Sequence, residues 1–328
     1  MAAANHGHAL AYGQDTHTAR CQQAFSELFD TDVIARLAFN GTGANVMALA
    51  TMLGSRPGPH QAVICSEWAH INVDETGAPE RILGTKLIDL PSADAKITPD
   101  QIRDQAHFQD VVHHAQPGVV SITQPTELGA LYTIDEIRAV CETAHDMGLL
   151  VHVDGARIAN ATAALGGTRE TLRAMIVDTQ VDVMSFGGTK IGAVGAEAAV
   201  FLNRNCAVGA SFVRKQVTQL ASKMRYLAAQ FNALLEDDLW LQLGIQANSL
   251  ATTLHAEVAS LPGIESAPPE VNSIFPTLPA EIIKPLQDWS FFWDWDMSIN
   301  QVRWMTGWDT THEDVEAFAS GVRHMTGG

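Results

Sequence analysis

Short, mostly apolar runs alternate with amphipathic stretches along most of the chain. The runs have the length of buried strands, and they occupy residues 34–39, 61–65, 119–123, 149–153, 181–185 and 198–202. Between the third and fourth runs the sequence predicts a helix, with a capping box from Thr133 to Glu136 and Gly148 at its end. Because such helices connect parallel strands, the pattern predicts an α/β fold with a mostly parallel sheet.

Helical periodicity and turn residues divide the chain into three parts. Helices are expected over residues 18–29, 41–53, 212–235 and 239–261, and a last helix is expected to start near Thr311 and run to residue 322. From residue 271 onward the chain changes to aromatic-rich, strand-like runs at residues 273–277, 289–296 and 301–306. We therefore predict an N-terminal arm (1–17), a large α/β domain (18–235) and a small α+β C-terminal domain (236–328).

The composition is that of a globular protein with a strong negative charge. Of its 328 residues 46% are hydrophobic and 17% are charged, and the formal net charge is −17. This charge argues against nucleic acid or an anionic membrane as a partner. The four cysteines lie far apart without a CxxC pair, which indicates reduced thiols. With no apolar run long enough to span a bilayer and no signal-peptide layout, we expect a cytoplasmic protein.

Two charged side chains follow buried strands. Asp154 ends the run at 149–153, and Lys190 comes just after the run at 181–185, behind Gly187 and Gly188. Ligands of open α/β sheets collect beyond the carboxyl ends of the strands, so we expect Asp154 and Lys190 to face one crevice. An amine and a carboxylate in that position suit pyridoxal 5'-phosphate (PLP), with the lysine forming the Schiff base and the aspartate keeping the pyridine nitrogen protonated.

A strand, a glycine-containing turn and a helix follow one another over residues 34–53. Gly41 and Gly43, with the hydroxyl of Thr42, stand at the start of that helix, a place that suits a phosphate group. The competing interpretation is a dinucleotide-binding turn, but Val46 stands where its third glycine belongs. Taken alone, the turn leaves both interpretations open.

These segments together resemble the threonine aldolase and β-eliminating lyase family of fold type I PLP enzymes, in the low-specificity L-threonine aldolase branch that includes phenylserine aldolases. The matching motifs occur in the family's order over nearly the whole chain: GTGAN from Gly41, AHI around His70, TELG from Thr126, DGAR from Asp154, Lys190, MR at Arg225 and RWMT from Arg303. The resemblance implies a fold type I large domain with a small C-terminal domain. It also implies the reversible cleavage of a β-hydroxy-α-amino acid to glycine and an aldehyde, by a homodimer or homotetramer.

The resemblance also implies roles for single residues. His70 is expected to stack on the cofactor ring and to handle the proton of the substrate hydroxyl. Arg157 and Arg303 are expected to bind the substrate carboxylate, for which the guanidinium fork is suited. Lys223 and Arg225 are expected to reach a cofactor phosphate, in a neighbouring subunit, although solvated helix charges are an equal alternative.

Several other functions stay open. A β-eliminating lyase or a transaldolase would use the same Lys190 and Asp154, and a nicotinamide dehydrogenase would use the turn at Gly41. Family members carry a Ser-Asp-Asn segment ahead of the region that matches residues 4–8, and without it a non-catalytic PLP-binding protein is a further alternative. His152 and Asp154 share a strand face, as metal ligands could, but further ligands at the usual spacing are missing and no metal is expected.

Overall fold

A seven-stranded sheet forms the centre of the molecule in the computed structural model, which describes residues 1–56 and 61–327. Its strands are β1 (Ile34–Ala38), β2 (Gln61–Ser66), β3 (Lys86–Leu90), β4 (Gln116–Thr123), β5 (Leu150–Gly155), β6 (Val183–Gly187) and β7 (Glu197–Phe201). They lie in the order β1-β7-β6-β5-β4-β2-β3. Strands β2 to β6 pair in parallel, and β7 runs antiparallel to both β6 and β1. The expected mostly parallel sheet is confirmed.

Helices cover both faces of this sheet. They are α1 (Thr16–Phe29), α2 (Gly41–Gly54), α3 (His70–Val73), α4 (Ala78–Leu83), α5 (Pro99–Asp104), α6 (Ile134–Asp146), α7 (Ile158–Leu165), α8 (Arg169–Ile176), α9 (Ala210–Gln216) and α10 (Arg225–Leu235). Successive strand residues face opposite sides, so Val63 and Ile64 of β2 belong to two different apolar cores. Helices α2 and α9 pack on one face, while α1, α6, α7, α8 and α10 pack on the other.

The C-terminal part has a core and a sheet of its own. Its elements are α11 (Leu239–Val258), β8 (Ser273–Ile274), α12 (Ala280–Trp289), β9 (Trp293–Asp296), β10 (Gln301–Met305) and α13 (His312–Thr326). The three strands form an antiparallel sheet in the order β8-β10-β9. Its apolar residues make a third core that includes Val302 and Trp304 of β10. The expected small α+β C-terminal part is thereby confirmed.

Local end signals read from the sequence are present as expected. Thr133 and Glu136 form a reciprocal capping box at the start of α6, and Thr311 and Asp314 form another at the start of α13. Gly148, just after α6, has a φ of +70°, a left-handed conformation that favours glycine.

The single helix predicted over residues 212–235 is wrong, because the chain there forms α9 and α10 with a loop between them. Thr218 adopts a left-handed φ of +63°, which interrupts the helix. Gln219 then turns inward, is buried, and accepts a hydrogen bond from the Phe39 amide at 2.9 Å. Tertiary bonding to the end of β1 therefore overrides the helical periodicity.

The strand-like run predicted over residues 289–296 is wrong in its first half. Trp289 ends α12, and only Trp293–Asp296 is a strand. Pro285 lies inside α12, where a proline normally breaks a helix. The apolar face of α12, with Ile282, Ile283 and Leu286 buried in the third core, holds it in place.

Glutamine side chains cover the outer edge of β1. Gln22 donates from Nε2 to the Val33 carbonyl at 2.7 Å, and its Oε1 accepts from the Ala35 amide at 2.9 Å. Together with the bond from Phe39 to Gln219, these contacts satisfy backbone groups that an edge strand leaves unpaired.

No helix within residues 1–56 and 61–327 is both long and apolar enough to cross a membrane. The cysteines, Cys21, Cys65, Cys141 and Cys206, are all buried, and none forms a disulfide.

Candidate active site

The carboxyl ends of β5 and β6 bring Asp154 and Lys190 close enough together for their charges to interact, and the surroundings of these two residues are called the crevice below. Asp154 is in β5 and pairs with Ser185 of β6, while Lys190 lies in a short 3-10 turn (Thr189–Ile191) three residues after β6. Lys190 is exposed as a whole residue, yet the protein around its ammonium group removes water from it and so lowers its pKa to about 8. The charge of Arg157 acts in the same direction, and the charges of Asp154, Glu197 and Glu127 oppose it.

The Asp154 carboxylate is buried and is held by two donors. Its Oδ1 accepts from the Ala156 amide at 2.9 Å, and its Oδ2 accepts from Asn45 Nδ2 at 2.7 Å. Asp154 is only 3% exposed. Charged hydrogen bonds of this kind fix the orientation of a carboxylate.

Asn45, in the second turn of α2, joins this carboxylate to the rest of the crevice. Its Nδ2 also donates to Glu75 Oε1 at 2.9 Å, and its Oδ1 accepts from Ser185 Oγ at 2.7 Å. The residue is buried, and the helix around it is otherwise almost entirely apolar. Sequence reasoning missed Asn45, although a lone amide in a helix that is apolar on all sides was the available signal.

His152 extends the same network below the crevice. Its ring nitrogens lie 2.9 Å from Ser121 Oγ and 3.2 Å from Ser185 Oγ. Burial lowers the pKa of His152 to about 4, so the ring is neutral at physiological pH. Within the described ranges no three His, Cys, Asp or Glu side chains cluster as metal ligands would.

His70 stands at the start of α3, on the rim of the crevice. Its amide donates to Glu127 Oε1 at 2.8 Å, and its Nδ1 lies 3.3 Å from Glu75 Oε1. The hydrogen bond with Glu75 is the largest influence on the pKa of His70 and raises it. Burial lowers this pKa, the charges of Asp154 and Glu75 raise it, and the charge of Lys190 lowers it. The imidazole is half-buried, so part of its ring remains exposed to solvent.

Two further carboxyl groups in the site were not singled out from the sequence. Glu127 bonds to Thr123 Oγ1 at 2.8 Å as well as to the His70 amide, and burial raises its pKa to about 7. Glu197 of β7 accepts from the amides of Gly188 and Thr189, which fixes the turn ahead of Lys190. Burial raises the pKa of Glu197 to about 7.

Arg157 and Arg303 approach each other from the two parts of the molecule. Arg157 follows β5, Arg303 lies in β10, and the charge of Arg303 adds to burial in lowering the pKa of Arg157 to about 10. The Arg303 guanidinium carbon lies 5.0 Å from the Trp295 ring centroid, and Arg157 Nη2 lies 3.5 Å from the Met305 sulfur. In the part of the chain that the structure describes, neither arginine forms an ion pair.

Gly41 and Thr42 open α2, whose second turn carries Asn45 to Asp154. The Gly43 amide is already used, because Asn40 Oδ1 accepts from it at 2.7 Å. A side chain at Gly43 would overlap Gln219, so this glycine is needed for packing. The amides of Gly41 and Thr42, with the Thr42 hydroxyl, are the groups of this turn that suit a phosphate.

Lys223 and Arg225 are not joined to the crevice by any contact within the described residues. Lys223 is exposed, with Nζ 3.5 Å from Ser222 Oγ. Arg225 donates to the Gly7 carbonyl at 3.1 Å and lies over the Tyr226 ring. A role for either in this chain's own crevice has no support from these contacts.

Gly187 and Gly188 allow the backbone to pass close to its neighbours. A Cβ at Gly187 would overlap the Ala156 carbonyl, and one at Gly188 would overlap the Ala196 carbonyl. The close passage places the turn that carries Lys190 beside the end of β5.

Comparison with known proteins identifies the family. The profile of the beta-eliminating lyase family matches residues 1–280. The chain belongs to this family. The lyase is 41% identical over 327 residues to the low specificity L-threonine aldolase of Pseudomonas sp. (strain NCIMB 10558), covering 98% of this chain and 92% of that one. It is 42% identical over 331 residues to the enzyme of the same name from Pseudomonas aeruginosa, covering 100% of this chain and 93% of that one.

A solved structure agrees with this assignment. The threonine aldolase of Leishmania major superposes on this lyase with a TM-score of 0.91 at 28% identity, over 99% of this chain and 94% of that one. The expected fold type I architecture and the expected cofactor, PLP, are confirmed.

The residues of the crevice fit PLP. The buried carboxylate of Asp154, held by two donors, suits a protonated pyridine nitrogen, and the lowered pKa of Lys190 favours a nucleophilic amine. The first turn of α2 suits the phosphate.

Proposed function

We propose that this lyase cleaves β-hydroxy-α-amino acids, of the L-threonine, L-allo-threonine and phenylserine type, to glycine and an aldehyde. The observation that carries the proposal is the approach of Arg157 and Arg303, neither of which forms an ion pair with a described residue, near Asp154 and Lys190. A substrate carboxylate between the two guanidinium groups would offset their repulsion and fix the amino acid above the cofactor site.

PLP, when bound, supplies the electron sink that lets the bond between Cα and Cβ break. The residues of the chain supply position and proton transfer. Arg157 and Arg303 would hold the carboxylate and so decide which bond at Cα is positioned for cleavage. Asp154, fixed by Asn45 and the Ala156 amide, would hold the pyridine nitrogen of the cofactor.

We propose that His70 removes the proton of the substrate β-hydroxyl, either directly or through a water molecule. His70 lies on the rim, is accessible, and has Glu75 behind its Nδ1, an arrangement that orients a general base. The backbone amide of His70 donates to Glu127, and this bond fixes the position of the backbone that carries the imidazole.

We further propose that the enzyme is a cytoplasmic homodimer or homotetramer. The cytoplasmic location is supported by four buried cysteines without a disulfide. Lys223 and Arg225, which have no contact with this chain's own crevice, are proposed to reach a cofactor phosphate in a neighbouring subunit.

The test compares the wild type with Lys190→Ala and, as a matched control, with Lys86→Ala, which removes an exposed lysine at the start of β3. Each protein is incubated with PLP and then with L-threonine, L-allo-threonine or phenylserine, while glycine, aldehyde, ammonia and keto acid are measured. We expect a yellow, active wild type and control, and a colourless variant that releases no glycine.

Three results would contradict the proposal. A yellow and active Lys190→Ala variant would remove Lys190 from its role. Ammonia and a keto acid in place of glycine and aldehyde would show a β-eliminating lyase, and a yellow wild type inert to all three substrates would show a non-catalytic PLP-binding protein.

A further inference from the structure

Two arginines line one cavity at the outer edge of the large sheet. Arg36 lies in β1 and Arg214 in α9, and the cavity of about 310 Å³ is enclosed by α1, β1 and α9. Its described walls include none of the crevice residues. Arg36 precedes Phe39, where the chain turns towards α2, by three positions, or roughly 10 Å along a strand. The cavity is therefore separate from the crevice that contains Lys190.

The two guanidinium groups of this cavity lack an anionic partner. Among the described residues neither arginine forms an ion pair, and the Nε atom of each is buried without a hydrogen-bond partner. Arg36 donates from Nη1 to the Ala35 carbonyl at 3.1 Å. The carboxylate of Asp15, whose charge reaches Cys21 in the cavity wall, bonds instead to the amide and hydroxyl of Thr18.

Two cations in one half-buried cavity destabilise the folded chain unless an anion joins them. Burial lowers the pKa of both arginines, and the charge of Arg36 helps to lower the pKa of Arg214 to about 10, so both remain cationic at neutral pH. Paired guanidinium groups bind carboxylate and phosphate oxygens through parallel hydrogen bonds. In a chain with a net charge of −17, this local excess of positive charge points to a specific anion.

We propose that Arg36 and Arg214 form a second oxyanion site, apart from the catalytic crevice, that takes a phosphate or carboxylate group. The group comes either from a small anion in solution or from an acidic side chain of a second copy of this chain. In both cases its negative charge offsets the repulsion between the guanidinium groups and ties α9 to the edge strand.

The first arm of the test is calorimetric titration of the PLP-loaded enzyme with inorganic phosphate, at constant ionic strength in a chloride buffer. The bound cofactor keeps the phosphate position of the crevice filled. A small-anion site gives one saturable binding event per chain, and Arg36→Gln and Arg214→Gln each weaken it by about tenfold or more. Arg81→Gln, which removes an exposed arginine elsewhere, serves as the matched control and binds phosphate like the wild type.

The second arm is sedimentation velocity of the same four proteins. If a second copy supplies the carboxylate, the wild type shows no saturable phosphate binding, while Arg36→Gln and Arg214→Gln shift towards smaller species and Arg81→Gln does not. The proposal is overturned if both arginine variants keep wild-type assembly and phosphate either does not bind or binds equally to all four proteins.

A folding control keeps the test decisive. Arg36→Gln and Arg214→Gln each remove one of two charges that repel each other. If the site is empty in chloride buffer, we expect each variant to melt in that buffer at the wild-type temperature or above it. If a glutamine variant fails to fold, Arg36→Lys replaces it in the test, because lysine keeps the charge and loses the planar guanidinium group. The proposal then requires that Arg36→Lys weaken either phosphate binding or assembly.

Discussion

Asn45 is the residue on which the arrangement of the crevice most depends. Its one amide group donates to Asp154 and Glu75 and accepts from Ser185. It therefore separates two carboxylates that would otherwise repel each other in a buried place. Through Glu75 it also joins the proposed proton-transfer residue, His70, to Asp154, the carboxylate proposed to hold the pyridine nitrogen.

Asn45→Asp tests this role with a side chain of nearly the same shape. The variant places a third carboxylate against two others, so we expect the free energy of unfolding to fall by about 3 kcal/mol, with weaker PLP binding. Urea unfolding and cofactor fluorescence measure the two effects. Asn160→Asp is the control, because it also puts a charge into the interior and also removes a donated bond, but it faces the uncharged Asn248 Oδ1 where Asn45 faces two carboxylates; an equal loss in both variants would contradict the role of Asn45.

Glu75 sets the pH at which His70 changes charge. Its hydrogen bond raises the pKa of His70, so a larger fraction of the imidazole is protonated and unable to act as a base. In Glu75→Gln the charge is lost, the pKa of His70 falls, and the acidic limb of the kcat profile should move to lower pH. Histidine NMR titration checks the pKa directly, and an acidic limb that stays in place while the pKa moves would exclude His70 as the base.

The main chemical residues could be predicted from the sequence, and their supports could not. Asp154 and Lys190 each follow an apolar strand, which is a local signal. Asn45 meets Asp154 across 109 residues of sequence, and nothing near Asn45 specifies that pairing. Glu127 and Glu197 were missed for the same reason, since only the folded sheet turns their carboxyl groups inward.

At the level of elements, the approach of β6 to the loop after β5 is the tightest constraint on the crevice. A methyl group at Gly187 would overlap the Ala156 carbonyl, and neither backbone segment can move without displacing Asp154 or Lys190. The loop and the strand are therefore positioned as one unit.

We expect Gly187→Ala to lower the free energy of unfolding by about 2 kcal/mol through overpacking and to weaken PLP binding. The matched control is Gly54→Ala at the end of α2, where an added Cβ meets no atom within 4 Å and should be neutral or slightly stabilising. Thermal unfolding and cofactor titration of both variants check this. If Gly187→Ala has the stability and PLP affinity of the wild type, the two backbone segments can move apart without loss.

Element prediction succeeded where local signals decide and failed where tertiary bonding does. The capping boxes at Thr133 and Thr311 marked helix starts correctly because their partners lie three residues away. The break at Thr218 depends on Gln219 bonding to Phe39, 180 residues earlier, which periodicity cannot reveal. Helix α12 was missed because Pro285 argued against it, while burial in the third core supports it.

At the scale of the whole molecule, the proposed cofactor site depends on the large sheet alone, whereas the proposed substrate site also depends on the small sheet. Asp154 and Lys190 depend on the large sheet, whereas Arg303 is carried by β10 of the small sheet. Loosening the third core should therefore weaken substrate binding before cofactor binding.

Val302→Ala tests this division, since Val302 is fully buried beside Arg303 in β10. We expect a loss of about 2 kcal/mol in stability and a raised KM for the amino acid, with the Kd for PLP unchanged. Val112→Ala, at a position that is 91% exposed, is the control and should change none of these. An equal rise in the PLP Kd would show that the two cores do not act separately.

The glutamines along β1 limit how copies of this enzyme can join. Gln22 and Gln219 bond to the Val33 carbonyl and to the Ala35 and Phe39 amides, which hinders another chain from extending the sheet there by adding a strand. In other proteins charged residues or bulges protect edge strands from pairing with another chain. Here side-chain amides have that role, and they hinder polymerisation of the protein through its sheet edges. Any lasting contact between copies on this side must be made through side chains and helices.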